Sequence, residues 1–197
     1  MDLTEMTARV REDLQDTDSQ NYRWTTDEVE GAIQRAVLEY SVHAPVEQQE
    51  DITTSDGDIE LDISGLTGLL QVVSVEFPLG KSPKYMQHFE RYAGHLYMED
   101  EGDGTDARVR WLKTHTLAAG STTIPAEHEE IIVLGATGYL AMSASAYTVD
   151  RATIAGRYGT QNYELWGRER LGRYDQKLKD IARTNKVISR TFFTQDD

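Results

Sequence analysis

Residues 3–40 read LTEMTARVREDLQDTDSQNYRWTTDEVEGAIQRAVLEY, and this stretch decides the helical part of the fold. Leu3, Met6, Val10 and Leu14 recur at spacings of three, four and four, which sets them on one stripe of a helix. The pattern predicts a first helix from Thr4 to Leu14. Asp16 to Asn21 has no apolar residue and breaks it. Thr25 followed by Glu28 is a capping-box signal, and Asp27, Glu28 and Glu30 sit where the positive end of a helix dipole falls. Val29, Ile33, Val37 and Tyr40 then mark a second helix to about His43, ended by Pro45.

Downstream the period changes. Asp56-Gly57 is a turn signal, and Ile59, Leu61 and Ile63 alternate with acids as in a half-buried strand. Leu69 to Phe77, with Val72, Val73 and Val75, reads as a more deeply buried strand closed by Pro78 and Gly80. Lys81 to Gly94 is expected to be loop, with one helical turn around Met86 to Tyr92. Leu96–Met98 and Ala107–Leu112 flank the acidic turn EDEGDGTD and are expected to form a hairpin.

Helical character returns at Pro125, which fits a first helical residue, with Glu127, Glu129 and Glu130 in the first turn. The segment to Val149 is rich in small residues, among them Gly135, Gly138, Ala141, Ser143 and Ala144. So thin a helix admits a close neighbour and is expected at the centre. Asp150 to Gly159 is read as a linker. A last helix is expected from Gln161 to Arg183, with a core stripe of Leu171, Tyr174, Leu178 and Ile181 that Tyr163 and Trp166 extend. It carries the basic residues Arg168, Arg170, Arg173, Lys177, Lys179 and Arg183. The tail beyond it holds Val187, Ile188, Phe192 and Phe193 without periodicity.

Composition narrows the function. The 197 residues include 34 acids and 20 bases, a formal charge of −14, which argues against a freestanding nucleic-acid binder. The same bias fits general solubility or adaptation to high salt. With no cysteine, disulfides, thiolate metal sites and cysteine nucleophiles are excluded. No apolar run reaches the roughly 20 residues a membrane helix needs. The N-terminus, with Asp2 and Glu5, does not read as a signal peptide.

Catalytic constellations do not emerge. His43, His88, His95, His115 and His128 are scattered, and His128-Glu129 lacks the second histidine of a zinc peptidase, so His128 reads as surface decoration. Asp100, Asp103 and Asp106 do not match a calcium loop. Gly102 and Gly104 are not followed by Lys-Ser/Thr, and no serine sits in a Gly-x-Ser-x-Gly elbow. The reading is non-enzymatic, with no cofactor and no metal. For the basic helix, one account is self-pairing, Glu164 with Arg168 and Glu169 with Arg173. A second is that its arginines meet acidic surfaces on a neighbouring subunit or ring, since the planar guanidinium binds carboxylates bidentately; direct DNA binding ranks last, given the acidic remainder of the chain. The adjacent phenylalanines of the tail suit docking on a partner.

Three pieces carry a resemblance: ARVREDLQDTDSQNYRWTTDEVEGAIQRAVLEYS, TTIPAEHEEIIVLGATGYLAM and YGTQNYELWGRERLGRYDQKLKDIAR. Together they resemble the head-to-tail adaptor (connector) family of long-tailed viruses, siphovirus-like phages or archaeal tailed viruses. The resemblance implies a virion protein of the neck, assembled in the host cytoplasm. It implies a homo-oligomeric ring of about twelve copies between the portal ring and a stopper or tail-completion protein. Double-stranded DNA would pass through without specific binding, and no membrane is involved. Twelve copies would carry on the order of −170 charges, a lumen that repels phosphates. The portal-binding residues so implied are Arg168, Arg170, Arg173, Lys177, Arg183, Val187, Ile188, Phe192 and Phe193. The alternative function is a soluble acidic binding or regulatory module that recruits a basic partner.

The expected fold class is α+β, mainly an α-helical bundle of about four helices with an inserted small antiparallel β unit and an extended C-terminal tail. The expected divisions are an N-terminal helical pair (1–50), the inserted β unit (51–118), C-terminal helices completing the bundle (119–183) and a tail arm (184–197).

Overall fold

The computed structural model describes residues 1–149 and 158–185. In chain order the elements are α1 (Leu3–Asp13), α2 (Thr26–His43), β1 (Val46–Thr53), β2 (Glu60–Asp62), β3 (Leu69–Glu76), β4 (Met86–Gln87), β5 (Phe89–Tyr92), β6 (His95–Met98), β7 (Asp106–Lys113), β8 (Leu117–Ala118), β9 (Ser121–Thr122), a 3-10 turn (Ala126–His128), α3 (Glu129–Val149) and α4 (Tyr158–Asn185). They divide into a helical unit, Met1–Ala44 with the residues from His115 onward, and a β unit, Pro45–Thr114.

The expectation of a mainly helical bundle with a small β insertion is overturned. Among the described residues, four helices stand beside nine strands in three antiparallel sheets, so the chain is α+β with neither class subordinate. The reason is that several strands carry no strand signal of their own. β1 reads VEQQEDIT and is exposed along most of its length, because it is an edge strand held by the ladder to β7 rather than by burial. β4 and β5 occupy the stretch expected to be loop with a helical turn. The expected hairpin across EDEGDGTD does not form. β6 pairs with β2 and β5, whereas β7 pairs with β1 and β3, so the acidic turn carries the chain from one sheet to another. Of the expected linker from Asp150 to Gly159, residues 158–159 already belong to α4, as do residues 184–185 of the expected tail arm; residues 150–157 and 186–197 lie outside the described residues.

In the β unit a four-stranded sheet ordered β1-β7-β3-β4 and a three-stranded sheet ordered β2-β6-β5 share one apolar core. Leu61, Ile63, Val75, Leu96, Ala107, Val109 and Trp111 lie in it. β3 does not alternate cleanly. Its register against β7 slips at Leu70 and again at Val73, and Val73 is 55 % exposed while Val72 and Val75 are both buried. Bulges of this kind shift the inward positions from a spacing of two to a spacing of three.

The helical unit closes around Met6, Val10, Val29, Ile33, Val37, Tyr40, Ile132, Ala136, Tyr174 and Leu178. Both N-terminal helices open with reciprocal capping boxes. Asp2 and Glu5 serve α1; Thr25 and Glu28 serve α2, where the Thr25 hydroxyl accepts from the Glu28 N–H at 3.2 Å. Pro125 precedes the 3-10 turn instead of opening α3. Small residues on α3 admit α4. A Cβ added at Gly135 would stand 2.9 Å from the Tyr174 ring, and one at Gly138 would stand 2.9 Å from Leu171. Tyr174 cannot retreat easily, because its hydroxyl donates to the Ala36 carbonyl of α2 at 2.6 Å.

Candidate interaction surface

α4 places most of its basic residues on an exposed face, already paired along the helix. Arg168 meets Glu164 at 2.5 Å, Arg173 meets Glu169 at 2.6 Å, Lys179 meets Asp175 at 2.5 Å, and Arg183 lies 3.6 Å from Asp180. These i,i+4 and i,i+3 pairs are the geometry a helix offers to opposite charges, and in water they contribute little stability. They leave each guanidinium partly neutralised yet open to a further carboxylate. Lys177 is exposed with no ion pair among the described residues. Arg170 differs from the others. It turns inward, pairs with Asp13 of α1, donates to the Thr137 hydroxyl of α3 at 2.9 Å and stacks over the Trp166 ring at 4.4 Å. The structure thus brings Arg168, Arg173, Lys177 and Arg183 to an exposed helix surface and separates Arg170 from them. Val187, Ile188, Phe192 and Phe193 lie outside the described residues.

Beside Arg170 an open groove of about 380 Å³ is lined by Asp13, Leu14, Gln15, Tyr163 and Trp166. The corner between α1 and α2 supports it. Arg11 and Asp16 are buried, 5 % and 7 % exposed, and join at 2.7 Å. Asp16 also accepts the Arg23 N–H at 2.7 Å, while Arg11 donates to the Trp24 carbonyl at 3.1 Å and lies 3.7 Å over the Tyr22 ring. Next to this, Arg23 donates to the Tyr163 hydroxyl at 2.6 Å and covers that ring. The polar break DTDSQNYRW is therefore a built joint. Sequence reading saw the break but missed the pair. The available signal was an arginine at position 11, directly following core Val10, five residues before an acid.

Two histidines read as incidental have structural partners. His128 is half-buried, and its Nδ1 meets the Tyr40 hydroxyl at 2.6 Å, so surface decoration is the wrong description of it. His115 is buried. Its N–H donates to the Ser41 hydroxyl at 2.9 Å, Nε2 lies 2.8 Å from the Ala44 carbonyl, and Nδ1 lies 3.0 Å from the Thr123 hydroxyl. With Nε2–H donating to the Ala44 carbonyl, Nδ1 accepts from the Thr123 hydroxyl, while the Thr123 carbonyl, also 3.0 Å from Nδ1, would be served only by a proton on that nitrogen. Burial pushes the His115 imidazole below its usual value against the opposing pull of the Ala44 and Thr123 carbonyls. Burial also pushes the Tyr40 phenol up to about 12. His115 thus clamps the point where the chain returns to the helical unit onto the point where it leaves.

In the β unit the acids of the turn are used locally. Asp100 accepts from Gln87 at 2.7 Å, Asp103 caps the Thr105 N–H at 3.0 Å, and Asp106 accepts from Thr53 at 2.7 Å. No group of three or more metal-ligating side chains converges among the described residues. Glu76 is 3 % exposed and held by Arg110 at 2.6 Å and Lys84 at 3.3 Å. Burial pushes its carboxyl up, but Lys84 and Arg110 outweigh this and set it below the ordinary glutamate value. Among the described residues no helix is long and apolar enough to cross a membrane.

No protein-family model matches the sequence. No curated protein matches it either.

Proposed function

We propose that this chain is a head-to-tail adaptor of a long-tailed virus: a non-enzymatic ring component between the portal and the stopper or tail-completion protein, lining part of the DNA channel of the neck. The observation that carries the reading is the α1–α2 corner. The stretch on which the resemblance rests is the one whose arginine and acid are buried together. A buried ion pair contributes little net stability for its desolvation cost, and its best use is to fix an arrangement. A fixed angle between two helices suits a subunit that must offer the same faces to identical neighbours. The close α3–α4 seam supports the same rigidity.

On this reading Arg168, Arg173, Lys177 and Arg183 face acidic surface on the portal or the next subunit, exchanging their helix partners for intermolecular carboxylates. Arg170 belongs to the subunit's own packing. The excess of acids keeps the channel wall from holding passing DNA.

The test mixes the purified chain with the portal ring of the same virus and follows mass by light scattering and shape by electron microscopy. Ring density beneath the portal is the expected result. A chain that stays monomeric and ignores the portal, with virions that show no density for it at the neck, would overturn the proposal.

A further inference from the structure

The outer face of the β2-β6-β5 sheet collects residues that lie far apart in the sequence. Register places Glu60, Tyr97 and Glu90 in one row across the three strands, and Asp62, His95 and Tyr92 in the next. Their neighbours Leu61, Leu96 and Met98 point the other way into the core. Tyr92 is 73 % exposed, and Glu60, Asp62 and Glu90 are exposed as well. At the end of the sheet where Phe89 pairs with Met98, an open hollow of about 460 Å³ is lined by His88, Phe89, Glu90, Tyr97, Met98 and Glu99.

The acids of this face lack the arginine and lysine partners of the other sheet, although Asp62 accepts the Ser64 N–H at 2.8 Å. On the four-stranded sheet Arg108 covers Asp51, and Arg110 with Lys84 covers Glu76. Among the described residues no lysine or arginine pairs with Glu60, Asp62 or Glu90, and the nearest basic group is His95, 3.9 Å from Glu60. The first row sets the Tyr97 ring between two carboxylates and the second sets His95 between Asp62 and Tyr92; such a surface matches a guanidinium or ammonium group, which donates a charge-assisted hydrogen bond to an acid and lies over a ring. The two rows are two residues apart along the strands, about 6.8 Å, which is the spacing of alternate side chains on an extended chain.

We infer that this face docks an extended polypeptide segment carrying arginine or lysine at alternate positions. Charge complementarity selects the occupant: a phosphate backbone or an anionic lipid surface would be repelled, and the exposed basic residues that a second copy offers on α4 lie on a helix, not on an extended segment, most of them paired with acids of that helix. The inference rests on the β unit alone and stands whether or not the adaptor reading holds.

The test uses the full chain and a fluorescein-labelled (Arg-Thr)4 peptide, with (Glu-Thr)4 as the mismatched probe, read by fluorescence anisotropy. The chain is expected to bind the first peptide and not the second. Glu60→Gln combined with Glu90→Gln should weaken binding about tenfold, and Tyr92→Ala, which leaves the charge unchanged, about threefold. Glu12→Gln combined with Asp27→Asn removes the same charge from exposed positions of the helical unit and should change little. Equal weakening by both double variants would reduce the effect to bulk charge and overturn the proposal. So would unchanged binding by Tyr92→Ala, or release of the peptide by calcium chloride but not by sodium chloride of equal ionic strength, which would assign the face to a divalent cation.

Discussion

Replacing Asp16 by alanine removes more than one hydrogen bond. Arg11, 5 % exposed, loses its counter-ion at 2.7 Å, and the Arg23 N–H loses its acceptor. The guanidinium keeps the Trp24 carbonyl and the Tyr22 ring, which lessen the loss without neutralising the charge. Breaking one side of a buried pair costs about 3–5 kcal/mol. For a chain of this size that corresponds to a fall in melting temperature of about 10 °C. Asp16→Asn keeps an acceptor for the Arg23 N–H and should cost about half as much. The decisive arm is Arg11→Met with Asp16→Asn. With both charges gone nothing is stranded, so the double variant should recover part of the loss, with a coupling of about 1–3 kcal/mol. Urea titration followed by far-UV circular dichroism, which reports the helical unit, gives all four corners of the cycle. A loss below about 1 kcal/mol for Asp16→Ala, or strict additivity in the double variant, would refute the argument that the corner is an electrostatic joint.

The α3–α4 seam makes a paired claim: Gly135→Ala drives a Cβ into the pinned Tyr174 ring and should cost about 1–2 kcal/mol despite alanine's better helix propensity, whereas Gly172→Ala meets open space and should gain about 0.5–1 kcal/mol, both read as thermal midpoints. Glu76 has a folded pKa below its ordinary value, so its contribution to the β unit is present above about pH 4.3 and is lost as pH falls through the folded value. Glu76→Gln should flatten that acid limb in urea midpoints taken against pH; an unchanged slope would count against it. His115 also has a lowered folded pKa, so unfolding takes up a proton and stability should decline as pH falls below about 6.5. His115→Gln should remove that slope in the helical unit. Ending the chain at Asn185 removes Val187, Ile188, Phe192 and Phe193 but no described core residue, so the melting temperature should hold while portal association weakens; a large fall in the melting temperature would show that the tail packs on its own subunit.

The helices were legible because their signals are local. Apolar residues at helical spacing and the Thr25–Glu28 cap place α2 within the chain without any long-range contact. The self-pairing of Glu164 with Arg168 and Glu169 with Arg173 follows from helix geometry alone. The strands fared differently. β2 and β3 carry apolar residues for a buried face, but Val73 reads as core and lies outside it, because a bulge is a property of pairing rather than of sequence period. The candidate site split in the same way. Nothing within the run from Arg168 to Arg183 distinguishes Arg170 from its neighbours, since its partners Asp13 and Thr137 come from distant parts of the chain.

By itself the sequence determined the acidity of the chain, the absence of thiol chemistry, the four helices and the faces they bury, because each depends on composition or on residues within about one helical turn. Tertiary structure alone decided that Leu96–Met98 and Ala107–Leu112 belong to different sheets, that β1 is a strand at all, that Arg11 meets Asp16 in the interior, and that two tyrosines, a histidine and three carboxylates share one sheet face. Strand partners, bulges and buried ion pairs are chosen by what the rest of the chain places opposite them, and that choice leaves no mark in the local pattern.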